Sequence, residues 1–156
     1  MEKSTEIDPG AQAARKRIVD LLARATPAEL EDAMSAFDPA PACTALRGPE
    51  TGLVMVKGRI GGGGAPFNLG EATVSRASIR LSDGRIGHGY RLGTDRKAAQ
   101  LSAVLDALAQ DEAGRALAET RLLAPLEARL AVEAKKLETE TAATKVDFFT
   151  MVRGED

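Results

Sequence analysis

Basic side chains recur at strand spacing in the middle of this chain of 156 residues. Side chains alternate between the two faces of a β-strand, so residues an even number of positions apart share a face. Three predicted strands each carry such a pair: Lys57 and Arg59, Arg76 and Arg80, Arg85 and Arg91. If these faces coincide, six cations line one side of a sheet. A cationic face of that kind suits a polyanion such as a triphosphate, because the guanidinium group binds phosphate oxygens bidentately.

The same pattern also fits a solvated sheet face, or arginines that pair with the acids of a partner. Both readings stay open at this point. The residues that we predict as anion or substrate contacts are Lys57, Arg59, Arg76, Arg80 and Arg91.

The glycine run at residues 61–64 is a second feature with possible chemistry. A phosphate-binding loop would end in Gly-Lys-Ser/Thr and open a helix, and this run does neither. We therefore favour a flexible hairpin loop over a nucleotide cradle. Its free backbone N–H groups could still hold an anion, or the loop could order on a partner.

No set of residues predicts catalysis or metal binding by this chain. His88 is the single histidine and Cys43 the single cysteine, which excludes two-histidine metal motifs, cysteine clusters and an intrachain disulfide. His88 alternates with Ile86, Tyr90 and Leu92, so we expect it to face the core or an interface. Cys43 lies in a proline-rich stretch, and a Cys–His nucleophile would need the fold to bring the two together.

The elements that must position these residues follow from local signals. Asp8-Pro9 and the capping box Thr26-Pro27-Ala28-Glu29 predict helix starts. Residues 38–49 hold three prolines and read as a linker, with a short strand possible near Thr44 to Arg47. Ser82-Asp83-Gly84 predicts a tight turn between two strands.

Thr94 is the expected cap of the next helix, and breaks are expected near Gly114 and before Pro125. We predict an α+β fold in one domain spanning residues 1–156. It comprises N-terminal helices (8–37), a central antiparallel sheet of three to four strands (50–92), C-terminal helices (94–140) and an apolar C-terminal arm (146–154).

Bulk composition excludes several function classes. The net charge is −2 and the pI about 5.6, so nothing indicates nucleic-acid or membrane-surface binding. No apolar run approaches the roughly 20 residues that span a bilayer, and the N-terminus lacks the apolar segment of a signal peptide. The cytoplasm is the expected location. Only 3% of residues are aromatic, so small side chains fill most of the core and some dependence on a partner is expected.

The end of the chain is unusually apolar for a terminus. Residues 146–154 carry two of the five aromatic residues, and the preceding polar segment from Glu138 to Lys145 is expected to lead them away from the domain. Such a tail must dock on its own core or on another chain. We predict partner docking, and a homodimer or swapped oligomer when the chain is alone. The docking residues are Val146, Phe148, Phe149, Met151, Val152 and Arg153.

Several segments together resemble the PhnG family of the bacterial carbon–phosphorus lyase system. They are Glu50-Thr51-Gly52-Leu53-Val54, Gly58-Arg59-Ile60-Gly61-Gly62, Gly70-Glu71-Ala72-Thr73, Arg76-Ala77, Leu81-Ser82-Asp83-Gly84, Leu92-Gly93 and Val146-Asp147-Phe148-Phe149-Thr150-Met151-Val152-Arg153-Gly154. Pro27-Ala28-Glu29-Leu30 and Ala124-Pro125-Leu126 are similar as well. The resemblance covers about residues 15–154, and it is most specific in the glycine and terminal segments.

This resemblance implies a role in phosphonate breakdown. Family members act with PhnH, PhnI and PhnL to displace adenine from ATP with methylphosphonate, which gives α-D-ribose 1-methylphosphonate 5-triphosphate. PhnJ, which carries the iron–sulfur cluster and uses S-adenosylmethionine, joins the same complex and cleaves that product later. The resemblance assigns the nucleosidase-like chemistry to PhnI and carries over no active-site residue, so we expect an accessory subunit without a cofactor of its own. A stand-alone triphosphate- or nucleotide-binding domain is the alternative.

Overall fold

A computed structural model describes residues 9–144 of the chain. Two helices lead into three strands, and three further helices follow. The helices are α1 (Pro9–Leu22), α2 (Pro27–Ser35), α3 (Arg96–Leu108), α4 (Glu112–Ala118) and α5 (Ala124–Ala143), and the strands are β1 (Cys43–Arg59), β2 (Pro66–Leu81) and β3 (Ile86–Leu92). A 3₁₀ turn (Ile60–Gly62) follows β1, and one π-helical turn (Glu119–Leu123) joins α4 to α5. The predicted α+β class is confirmed.

The helix starts follow the capping signals closely. Thr26 Oγ1 accepts a hydrogen bond from the Glu29 backbone N–H at 3.3 Å, and the Glu29 carboxylate accepts one from the Thr26 N–H at 2.7 Å. This reciprocal pair is the predicted capping box. α3 begins one residue later than expected, because Asp95 and not Thr94 caps it, through a 2.8 Å bond from the Ala98 N–H.

The three strands form one antiparallel sheet in the order β1-β2-β3. Gly84 closes the β2–β3 turn with a φ of +93°, which only glycine adopts easily. β1 is much longer than predicted, since residues 43–49 belong to it and are not a linker. The strand tolerates Gly48-Pro49 because two register irregularities fall between Ala45 and Glu50, so the proline is absorbed at a bulge.

The helices cover one face of the sheet. Ala77, Ile79 and Leu81 of β2 pack against alanines of α3, and a second apolar cluster lies among the helices around Leu105 and Leu123. β3 contributes little volume here, since Gly87 and Gly89 let the α3 backbone approach closely. The side chains that alternate with them point to the opposite face, which the helices leave open.

The C-terminal helices differ from the prediction at two points. The break lies at residues 109–111, and Gly114 sits inside α4, where a Cβ would stand 2.1 Å from the Leu108 carbonyl oxygen. The polar segment from Glu138 to Thr141 is helical, because α5 continues to Ala143. Of α5, only Leu126 is buried, so the second half of this helix stands clear of the body.

Candidate docking surfaces

The predicted row of six cations on one side of the sheet is wrong. Arg76 lies opposite Tyr90, and both face the open side. Arg91 lies opposite Ser75, whose side chain is fully buried, so it points toward the helices. There its guanidinium donates hydrogen bonds to the backbone carbonyls of Leu22 and Ala25, at the end of α1. Arg91 is therefore a link between sheet and helix.

The other basic candidates are also spread apart. Arg85 lies in the β2–β3 turn, where it pairs with Asp83 and Asp111. Lys57 and Arg59 lie near the far end of the β1–β2 hairpin, opposite Asn68 and Pro66. Asn68 is eight residues from Arg76 along β2, which corresponds to about 26 Å. The sequence pattern could not reveal this separation because it depends on the length of the hairpin.

Glu50 neutralises part of the remaining positive charge on this surface. The Glu50 carboxylate accepts hydrogen bonds of 2.7 Å from both Arg47 Nε and Arg76 Nε, and these bonds lower the pKa of Glu50 below its ordinary range. Arg80 is exposed and makes no ion pair within residues 9–144. Arg80 is thus a basic residue on the open face whose charge is not neutralised by an acid within residues 9–144.

His88 lies on the open face and is exposed. Of the two positions expected for it, the core is excluded, and a place at an interface stays a prediction. Its Nδ1 atom lies 2.8 Å from Ser78 Oγ. A Ser–His nucleophile needs a third group that orients the ring. Among the described residues, no carboxylate hydrogen-bonds the imidazole ring of His88, and the Ser78–His88 pair therefore lacks the constellation of a hydrolytic site.

The buried carboxylate of Asp106 is held by structural hydrogen bonds. It accepts hydrogen bonds from Arg15 at 3.1 and 2.8 Å and from the backbone N–H of His88 at 2.9 Å. The hydrogen bond that Arg15 donates to Asp106 raises the pKa of Arg15. These bonds fasten α1 and β3 to α3, and the Asp106 side chain is only 1% exposed.

Within residues 9–144 no group of three or more His, Cys, Asp or Glu side chains is arranged to hold a metal ion. Cys43 is exposed at the start of β1. None of the helices over these residues combines the length and the apolar character needed to cross a membrane.

Three surfaces expose large apolar side chains. The first is the open sheet face, with Tyr90 and with Leu92, which is 78% exposed. The second is the hairpin arm, which we define as residues 52–59 of β1 with residues 66–72 of β2. The third is the second half of α5, where Val132 and Leu137 are exposed. Groups of exposed large apolar side chains often mark surfaces that bind a partner.

The hairpin arm begins where the helices end. Arg96, at the start of α3, donates to Thr51 Oγ1 at 3.1 Å, and Ser75 donates to the Gly93 carbonyl at 2.9 Å. The Gly93 N–H also donates to the Thr73 carbonyl at 2.9 Å. From residue 52 of β1 and residue 72 of β2 outward, the two strands pair with each other, and the glycine run closes them as a hairpin connection. The sequence analysis missed the arm as a site. The alternation of Leu53 and Met55 is visible in the sequence, but only the structure shows that the helical layer ends before these residues.

The predicted docking tail lies outside the described residues. This applies to all six of its named residues, Val146, Phe148, Phe149, Met151, Val152 and Arg153.

Comparison with known proteins assigns the chain to a family. A family model described as "Phosphonate metabolism protein PhnG" matches residues 13–154. The chain belongs to the PhnG family. One relative is the α-D-ribose 1-methylphosphonate 5-triphosphate synthase subunit PhnG of Rhizobium meliloti (strain 1021), which is 56% identical over 156 residues. That alignment covers 100% of this chain and 99% of the relative. The family suggested by the glycine and terminal segments is thereby confirmed.

Proposed function

We propose that this chain is the PhnG subunit of an α-D-ribose 1-methylphosphonate 5-triphosphate synthase. The observation that carries this proposal is the 56% identity to a subunit of that name over the full length of both chains. The exposed apolar surfaces agree with it, because a subunit needs such surfaces to bind its partners.

The reaction proposed for the assembled enzyme is a transfer of the ribose triphosphate moiety of ATP. The C1′–N bond to adenine breaks, a C1′–O bond to methylphosphonate forms, and adenine leaves. Within residues 9–144 of this chain no residues form a catalytic constellation, since Asp106 is occupied by Arg15 and His88 has only Ser78. We therefore assign the chain an accessory role beside PhnH, PhnI and PhnL, in the cytoplasm, where ATP is available. We assign it no cofactor, and assign the iron–sulfur cluster and S-adenosylmethionine to PhnJ.

PhnI is the partner that we assign to the open sheet face and to residues 146–154. Tyr90, Leu92 and Arg76 on the open face are of the types that dominate protein interfaces. Residues 146–154 add two phenylalanines, Phe148 and Phe149, and aromatic residues are enriched in protein interfaces.

Co-purification with PhnI and release of adenine from ATP test this function. The variants are Leu92→Asp combined with Tyr90→Ala, and removal of residues 146–156. We expect each to reduce co-purification with PhnI and, in proportion, adenine release by the complex with PhnH, PhnI and PhnL. Val132→Asp is the matched control, because Val132 is 70% exposed on α5 and away from the sheet.

Two results would contradict different parts of the proposal. Wild-type chain that does not restore adenine release to a complex lacking its PhnG subunit contradicts the function. Full binding of PhnI by both variants contradicts the assigned surfaces and leaves the function standing.

A second role, contact with the triphosphate, is favoured by one observation. Lys57, Arg59 and Arg80 make no ion pair with any residue from 9 to 144. Arg59 lies opposite Pro66, about 46 Å along β2 from Arg80, so one triphosphate cannot contact both residues. One of the variants Arg80→Ala and Arg59→Ala should then raise the KM for ATP of the complex without weakening PhnI binding. Arg121→Ala is the control, since Arg121 is exposed on the π-helical turn. Unchanged KM values for both variants would remove this role, and calorimetry with the isolated chain and ATP would detect binding without partners.

A further inference from the structure

Two elements of this chain have an apolar stripe that begins in the core and continues past the point where the rest of the protein covers it. On the sheet, Leu53 and Met55 lie opposite Thr73 and Glu71 in unbroken register with Ser75, which is fully buried. These residues therefore share the face that the helices cover farther along the sheet. Leu53 is 63% exposed and Met55 is 55% exposed, because no helix reaches the arm.

The second element is α5, whose inner stripe continues after the helix leaves the body. Leu126 is buried and Leu130 packs against the helical cluster. Leu137 lies seven residues after Leu130, hence on the same side of the helix, yet it is 64% exposed. Ala134 and Thr141 beside it are exposed as well. One chain thus has an exposed apolar stripe on α5 and an exposed apolar face on the hairpin arm. The two surfaces do not contact each other within the chain.

The charges beside the two stripes are complementary. On the arm, Lys57 and Arg59 lie beyond Met55, toward the tip. On α5, Glu138 follows Leu137 and lies at the edge of the stripe, about 100° around the helix from Leu137. The side chains of these three charged residues make no hydrogen bond or ion pair with the described part of the chain. An α5 with its C-terminal end toward the arm tip would place Glu138 near the two cations.

We propose that a second copy of this chain completes the structure, with α5 of each copy lying on the hairpin arm of the other. Two equivalent contacts then form around a twofold axis, which is the usual symmetry of homodimers. In this arrangement, α5 of one copy covers the arm of the other copy, just as α3 covers the rest of the sheet. This contact lies entirely within the described residues and does not require the tail.

Light scattering of the isolated full-length chain tests the dimer. We expect a dimer for the wild type, and a dissociation constant at least roughly 100-fold weaker for Met55→Asp and for Leu137→Asp, because each change disrupts both symmetric contacts. Val132→Asp and Leu92→Asp are matched controls, since both place the same charge at equally exposed apolar positions off the two stripes. Circular dichroism of each variant confirms that it folds.

Cross-linking identifies which surfaces meet. In a background with Cys43→Ser, chains with Met55→Cys are mixed with chains with Leu137→Cys under mild oxidation. We expect a disulfide-linked heterodimer, and none when Val132→Cys replaces Leu137→Cys. Charge reversal supplies a second readout. Glu138→Lys should weaken the dimer several-fold, and adding Lys57→Glu should restore it.

A wild type that stays monomeric up to millimolar concentration would overturn the proposal. So would equal effects of Leu137→Asp and Val132→Asp, or cross-linking that does not distinguish the two positions. If Met55→Asp weakened binding of PhnI while the isolated wild type was a monomer, the arm would be assigned to PhnI and the dimer rejected. None of these results depends on adenine release, so the proposed function is tested separately.

Discussion

Gly89 of β3 lies directly against the backbone of Ala99 in α3, and a Cβ on the glycine would stand 1.9 Å from the Ala99 carbonyl oxygen. Gly87 has the same relation to the Ala103 carbonyl oxygen, also at 1.9 Å. Two glycines on one strand face thus meet alanines four residues apart on one helix. This close contact fixes which side of β3 faces the core, and it sends His88 and Tyr90 to the open face.

Gly89→Ala is expected to destabilise the fold by about 3 kcal/mol or more, because the new methyl group would collide with backbone atoms that cannot rotate away. Chemical denaturation measures the loss. Gly52→Ala is the control, since nothing lies within 4 Å of a Cβ at that position, and it should change stability by less than about 0.5 kcal/mol. Equal stability of the two variants would show that α3 does not lie this close to β3.

Arg91→Met is expected to weaken folding and leave catalysis intact. The change removes the hydrogen bonds that Arg91 donates to the Leu22 and Ala25 carbonyls, at a cost of about 1–3 kcal/mol for two partly buried acceptors. Thermal unfolding measures the loss, and the KM for ATP of the reconstituted complex should stay unchanged at a temperature where the variant is folded. A raised KM in that folded complex would instead restore Arg91 as a substrate contact.

Asp106→Ala should be more damaging than Asp106→Asn. Alanine leaves the His88 N–H without its acceptor and removes the partner of Arg15, whereas asparagine keeps an acceptor oxygen. We expect a loss of about 3 kcal/mol for alanine and clearly less for asparagine, since Arg15 is partly exposed and solvent compensates it in part. Denaturant titration of both variants checks the order. A folded Asp106→Asn complex that released no adenine would contradict the structural role.

The ion pair between Arg129 and Glu29 should stabilise the folded state by an amount that depends on pH. Burial opposes ionisation of Glu29, but hydrogen bonds from Arg129 and Thr26 outweigh it and lower the pKa of Glu29 below its ordinary value of 4.5. A carboxyl group with a depressed pKa stabilises the folded state above its unfolded pKa, and this contribution is lost as the pH falls through the folded pKa.

The difference in unfolding free energy between wild type and Arg129→Met should therefore be largest near pH 7 and shrink below about pH 4.5. Its size is about 1 kcal/mol, because both groups are partly exposed. Lys16→Met serves as the control, since Lys16 pairs with Asp20 on the exposed side of α1. A difference that stayed constant down to pH 3 would exclude Glu29 as the titrating partner.

Local features of the chain could be predicted from sequence because they depend on neighbouring residues. The capping box at Thr26 and Glu29 is satisfied within one helical turn, and Gly84 supplies a backbone angle that the turn needs regardless of the rest of the fold. The family could be recognised for the same reason, since it depends on segments of a few residues. The sequence also excluded cysteine clusters and two-histidine metal sites, because composition alone decides them.

What required the tertiary structure was the relation between distant segments. The basic residues were expected on one face, but strand register turns Arg91 toward the helices, and hairpin length separates Lys57 from Arg76. The Gly-x-Gly of β3 and the spaced alanines of α3 are visible in the sequence, yet only packing shows that they meet. Likewise, Leu53 and Leu137 read as ordinary core residues by periodicity. Their exposure depends on where the helical layer ends, and periodicity along one element carries no information about the length of the element packed against it.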